Sequence, residues 1–241
     1  MLTVVTPTLN AARYLSACID SVAALPFPHE HFVVDGGSDD GTQDIAAAAP
    51  GVVLLEQGSM PGMYGAVEQG LRAGTGTYMT YVNADDQVVP RTYAKLVDRM
   101  ARADRPTIAY GDGTFRWVSP DAPPRDEFIP SRAAGGYFLR EGVMPFTQPS
   151  CLFRRDAFEA IGGFAPEEYR ISGDLEFFRR LAQRKGFTAA RVRGSASIFL
   201  KHGNSLGDLN TERSEDEREL MGVPRRATLR QRVLFRLASW I

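Results

Sequence analysis

Cysteine, histidine, tryptophan and net charge are all scarce in this 241-residue chain, and each scarcity removes a class of protein. The two cysteines, Cys18 and Cys151, have no CxxC or Cys/His spacing, so neither a zinc site nor a disulfide framework is expected and a reducing cytoplasm is the default. Basic residues number 28 and acidic residues 29, a formal charge of −1, which excludes a general binder of nucleic acid. No stretch of about 18 to 20 apolar residues is present, so no membrane span is expected. The opening MLTVVTPTLN lacks the charged and long apolar regions of a signal peptide. Also missing are GxGxxG and GxxxxGK[ST], the loops that cradle dinucleotides and triphosphates. With 44% hydrophobic and 24% charged residues, the chain is long enough for one large domain, or one domain with an appendage, around a real core.

The order of patterns implies a parallel sheet with crossover helices. Short β-rich runs at Leu2 to Thr6, His31 to Asp35, Val52 to Glu56 and Thr77 to Val82 alternate with helical stretches. In the first helix Leu15, Cys18, Ile19 and Val22 recur at helical spacing, with Asn10 as its N-cap. A helix follows Pro90, and a strand is expected near Thr107 to Tyr110. Residues 111 to 147, rich in glycine, proline and charge, read as loops around short strands. Order returns at Ser150 to Arg154 and in a helix from Asp174 to Arg184.

In an open parallel sheet, ligands sit beyond the carboxyl ends of the strands. Two acidic clusters fall there. In Val33-Val34-Asp35-Gly36-Gly37-Ser38-Asp39-Asp40, a buried strand meets a glycine turn, where Asp35 is placed to accept from ribose hydroxyls and Ser38 to donate. The same loop also reads as helix caps, Asp39 and Asp40 above all. In Tyr81-Val82-Asn83-Ala84-Asp85-Asp86, adjacent carboxylates end an apolar strand. Two acids so close call for a cation, and Mg²⁺ or Mn²⁺ bridges carboxylates to substrate phosphates. Asp174 opens a helix and reads either as an N-cap or as a base.

The blocks VVTPTLN, VVDGGSDDGT, GTYMTYVNADD and YRISGDLEFFRRL, in that order over about residues 2 to 200, resemble the family 2 glycosyltransferases of the GT-A fold. The resemblance implies an α/β fold with a mostly parallel, Rossmann-like central sheet flanked by helices, and an irregular acceptor side. It implies an inverting, hexosyltransferase-type reaction: a sugar moves from a nucleotide diphosphate donor, with UDP favoured, to a hydroxyl acceptor in polysaccharide or glycolipid assembly. On that reading Thr6, Pro7, Asp35, Gly36 and Ser38 line the base and ribose, with Gly62 and Tyr64 in a segment bordering the donor pocket. Asp86 binds Mn²⁺ or Mg²⁺ directly, with Asp85 nearer the ribose or a water ligand, and Asp174 is the general base. His202 is a further candidate for metal or diphosphate contact, and Gln148 for facing the acceptor. The segment Met60 to Gly70 departs from the DKGIYDAMNKG-like pattern of relatives, which bears on donor identity.

The expected organisation is a glycosyltransferase domain over 1–205 and a helical tail over 206–241. The domain divides into a nucleotide-sugar half at 1–110 and an acceptor half at 111–205. The last part of the tail, 225–241, carries five arginines and no acid around Leu229, Val233, Leu237 and Trp240. It is a candidate for peripheral contact with the inner face of the plasma membrane, where lipid-linked saccharide acceptors reside, or for self-association. Two other readings compete. One is a nucleotide-sugar binding module without turnover. The other is a sugar nucleotidyltransferase, which would bring a GxGTR-like loop and a lysine that the first forty residues lack.

Overall fold

Strand β1 (Leu2–Thr8) is buried along its whole length, as expected of a strand with helices on both faces of its sheet. The computed structural model describes residues 1–119, 121–203 and 209–223. The arginine-rich 225–241 segment lies outside the described residues. From β1 the chain runs through α1 (Ala12–Ala23), β2 (His29–Asp35), α2 (Thr42–Ala48), β3 (Val52–Glu56), α3 (Gly62–Ala73) and β4 (Tyr78–Tyr81). Strands β3, β2, β1 and β4 lie side by side in that order, all parallel. Strand order therefore reverses between β1 and β4, which opens a crevice at their carboxyl ends.

The sheet then changes character. It continues through β8 (Cys151–Arg154), β6 (Ile108–Ser119), β9 (Ala189–Lys201) and the short β5 (Gln87–Val88), while β7 (Ala122–Ile129) pairs with β6. β8 is antiparallel to both neighbours, whereas β6 and β9 run parallel. The expectation of loops over 111 to 147 is corrected here, because β6 is a twelve-residue strand in a hairpin with β7. Its glycines mark close approach, not turns: a Cβ at Gly111 would stand 2.8 Å from that of Ala196, and one at Gly113 2.5 Å from Thr147 Oγ1.

Helices cover both faces. α1 and α4 (Pro90–Met100) bury Cys18, Val22, Tyr93, Leu96 and Met100 against Leu2, Val4 and Leu152. On the other face α3 and α7 (Gly173–Gln183) enclose Val67, Leu71, Phe177 and Phe178 with Val5, Met79 and Phe153. α5 (Gly135–Arg140) and α6 (Arg155–Ala160) complete that layer through Leu139 and Phe158. α8 (Thr211–Leu220) lies in the segment expected to be a helical tail, and Met221 and Val223 just after it pack on Leu175 of α7. The described part of the tail is thus joined to the second half of the sheet domain. None of the described helices is long and apolar enough to cross a membrane.

Candidate active site

At the crevice, β1 and β2 end on Thr8 and Asp35, whose side chains meet: Thr8 Oγ1 donates to Asp35 Oδ1 at 2.9 Å. Asp35 is 1% exposed. It also accepts from the Gly37 amide, the Ser38 amide and hydroxyl, and Gln43 Nε2. Burial alone would raise its carboxyl, but these bonds, those from Ser38 foremost, hold it below the usual range. With five donors around it, the carboxylate organises the turn. A ribose hydroxyl reaches it only by displacing one of them. Thr6 points elsewhere: its hydroxyl lies 2.9 Å from His31 Nε2 inside the α1-side core, and Pro7 is buried. Thr8, which the sequence reading passed over, is the β1 residue that reaches this turn. Gly36 and Gly37 are exposed on it, with Ser38 half-buried.

Asn10 does not cap α1, for which Ala11 is the N-cap residue. With φ at 51°, Asn10 ties the two loops together, its amide donating to Ser38 Oγ and its Oδ1 accepting from the Asp39 amide. The capping falls to Asp40, which accepts from the Ala12 amide at the start of α1 and from the Thr42 amide at the start of α2.

Past β4, the two carboxylates of the Asn83 to Asp86 turn have unlike surroundings. Asp86 is 1% exposed and accepts from the Leu200 amide at 3.0 Å. Burial first, and then the charge of Asp85, push its carboxyl well up. Asp85 stays partly open and lies 2.9 Å from His202 Nε2, and the imidazole stacks on Tyr14 at 5.1 Å. This meeting depends on β5, which pairs with β9 and carries the end of β9 across the carboxylates. Among the described residues, no hydrogen-bond partner meets the buried Asn83 Oδ1 and Gln148 Oε1 in the same region, where Gln148 Nε2 donates to Tyr81 O. Gln148 is itself buried against β4.

Asp174 is the second residue of α7 and is half-buried. Its Oδ1 accepts from the Leu175 amide at 2.8 Å and lies 3.2 Å from the Tyr64 hydroxyl. Burial raises the carboxyl, and the Leu175 amide, Tyr64 and Arg218 draw it part of the way back. Tyr64, expected beside the donor, is instead 3% exposed, stacks on Phe164, and serves Asp174. Gly62 is exposed at the start of α3, with φ at 70°. Between the centres stands Tyr81, in edge contact with Tyr64 and within the field of both Asp174 and Asp86.

A cavity of about 280 Å³ adjoins the second half of the site. Phe115, Ile129, Met144, Phe146 and Phe199 line it, with Arg132 and Thr147 among its polar groups. Met144 packs by Leu175, next to Asp174, and Phe199 precedes the Leu200 that holds Asp86. A larger cavity, about 370 Å³, is lined by Arg105, Arg154 and Arg184 with none of these acids, and takes no part in the site.

A parallel half-sheet with a switch-point crevice, paired carboxylates at one strand end and a third on a facing helix define a transferase of the GT-A fold. Residues 3–162 match the sequence profile of glycosyl transferase family 2, and the chain belongs to that family. A PGL/p-HBAD biosynthesis glycosyltransferase of Mycobacterium bovis is 30% identical over 192 residues, covering 73% of this chain and 68% of that protein. The putative teichuronic acid biosynthesis glycosyltransferase TuaG of Bacillus subtilis is 28% identical, over 86% of this chain and 81% of its own. The S. aureus TarS 1-349 structure with UDP-GlcNAc has the same fold, with TM-score 0.68 and 15% identity, over 91% of this chain. This chain spans 65% of that one, a little under two thirds. The mannosyltransferase PcManGT of Pyrobaculum calidifontis, in complex with GDP-Man and Mn²⁺, aligns at TM-score 0.64 and 19% identity, over 98% of this chain and 68% of its own.

Proposed function

We propose that this glycosyltransferase inverts the anomeric centre of a nucleotide diphosphate sugar, with Asp174 as general base, in building a cell-envelope polysaccharide or glycolipid. The observation that carries the reading is Asp174 itself: a half-buried carboxylate at the start of α7, held by the Tyr64 hydroxyl and the Leu175 amide, with its pKa raised by burial. Such a group takes the acceptor hydroxyl's proton more readily than a solvated aspartate. A binding module has no use for it.

The donor's base and ribose belong over the ends of β1 and β2, where Thr8, Gly36 and Ser38 offer contacts and Asp35 sets the shape of the turn. A UDP-sugar is the favoured donor; TarS, of the same fold, is known with UDP-GlcNAc. A divalent ion fits the donor set next to it. Among the described residues no three His, Cys, Asp or Glu side chains form a ready cage, so substrate phosphates must complete the coordination. Asp85 and His202 would hold the ion, while Asp86, turned inward to the Leu200 amide, keeps the turn in place. This exchanges the parts that the sequence alone assigns to the two aspartates. When bound, the ion neutralises the leaving diphosphate, and an imidazole in the set favours Mn²⁺ over Mg²⁺. The aromatic cavity beside Met144 and Phe199 suits an acceptor with an apolar portion, in keeping with a lipid-linked saccharide.

Asp174→Asn tests the reading. Turnover with a UDP-sugar should fall at least about 10³-fold, with donor affinity by calorimetry unchanged. Retained turnover in a folded Asp174→Asn protein refutes the assignment.

A further inference from the structure

The acidic helix α8 has no part in donor or metal chemistry, yet one of its carboxylates is almost wholly interior. Glu217 is 3% exposed, whereas Asp216 and Glu219 on the same helix face solvent. Its Oε1 accepts from the Arg170 amide at 2.8 Å, and its Oε2 from the Ile171 and Ser172 amides at 2.9 and 2.7 Å. Those are three consecutive residues, and they end where α7 begins. Ser172, the N-cap residue of α7, makes no side-chain capping bond to its own helix. Its hydroxyl instead meets Ser214 Oγ of α8 at 2.8 Å. Asp174 comes two residues after this clamped stretch.

We propose that Glu217 is a positioning residue for the general base: it gathers the amides of residues 170–172 so that α7 presents Asp174 in contact with Tyr64. The proposal rests on the reading of Asp174 as base. Three converging N–H donors need an acceptor with two oxygens and a negative charge, since charge-assisted bonds are about twice as strong as neutral ones. The contacts lie on the loop and not on the reacting groups. A misplacement of about 1 Å at a catalytic group can cost 10²-fold in rate.

The neighbouring Arg218 strengthens the link. It donates to Gly142 O at 3.2 Å, and its charge acts on Asp174. The groups facing Asp174 are thus Tyr64 of α3, Tyr81 of β4, the Leu175 amide of its own helix and Arg218 of α8. α8 works on the base through both position and charge.

The test compares Glu217→Gln and Glu217→Ala in the full chain, with turnover expressed per folded molecule. In Glu217→Ala, kcat should fall roughly 10- to 100-fold, with donor KM and calorimetric donor affinity within about two-fold of the parent. Glu217→Gln, which keeps one acceptor oxygen, should fall in between. The acid limb of the kcat–pH profile should move in both. In an Asp174→Asn background the same changes should cost less than about two-fold, because the residue through which they act is already gone. Wild-type kcat and pH profile in folded Glu217→Gln overturns the proposal. So does a kcat loss matched by weaker donor binding, which would attach the clamp to the donor pocket. Activity retained in Asp174→Asn alone would refute the base reading, whereas an inactive Asp174→Asn beside a fully active Glu217→Gln would refute only the clamp.

Discussion

Asp174 and His31 both hold perturbed protons, for opposite ends. The raised carboxyl of Asp174 favours proton transfer at neutral pH, but keeping a desolvated charge costs stability. Between the ordinary aspartate value and the raised one, the folded state binds more protons than the unfolded, so stability falls as pH rises through that window. Asp174→Asn should therefore raise the melting temperature at pH 7.5 while removing turnover; a lower melting temperature would contradict this account of its pKa. His31 is buried against Thr6, and burial, with His29 nearby, lowers it from 6.5 to about 4. The unfolded chain takes up this proton below pH 6.5 and the folded one does not. The contribution is present above 6.5 and is lost as pH falls toward 4, to a limit of about 3 kcal/mol. His31→Gln should flatten the urea midpoint between pH 6.5 and 4.5 relative to the parent, and parallel curves would exclude this role. Neither shift was legible from residue order. Asp174 could be named because it stands in the motif YRISGDLEFFRRL, but the Tyr64 hydroxyl that meets it lies 110 positions away.

The element that couples donor side to base is α3. It packs against β1 and β2 at Gly70, where a Cβ would stand 2.6 Å from Val5 Cγ1 and 3.1 Å from Val34 Cγ2. Valine side chains are stiff, so these neighbours cannot yield without moving the helix. Gly70→Ala should destabilise the protein by roughly 1–3 kcal/mol, and because Tyr64 travels with the helix it should also lower kcat. Unchanged stability by chemical denaturation would show that α3 stands farther from the sheet. The strands and helices of the first hundred residues follow from local pattern, since each alternates a buried apolar run with an amphipathic helix. The second half did not yield to that reading. Gly111 and Gly113 have the composition of a turn, but they occupy a strand because β9 and Thr147 press on its backbone.

At the scale of the whole molecule, a charge of −1 hides an uneven arrangement in which Asp35 and Asp86 are buried at or just past the carboxyl ends of β2 and β4. Bringing a nucleoside diphosphate and a divalent ion to Asp85 and His202 should stabilise the fold as a unit. At about 100 times its Kd a ligand adds about 2.7 kcal/mol, which for a chain of this size is roughly 5–10 °C in melting temperature. The shift with UDP and Mn²⁺ should vanish with chelator and shrink in Asp85→Asn; an equal shift in chelator would refute the metal's part. The sequence by itself determined the α/β class and which carboxylates stand at strand and helix ends, because hydrophobic periodicity and turn chemistry act over a few residues, and its four motif blocks carried the resemblance to the family. Only the tertiary structure decided which of those carboxylates face one another and which face inward. Asp85 meets His202 and Glu217 meets the 170–172 amides across spans of 117 and about 45 residues, and such contacts exist only once the sheet has closed and desolvated them.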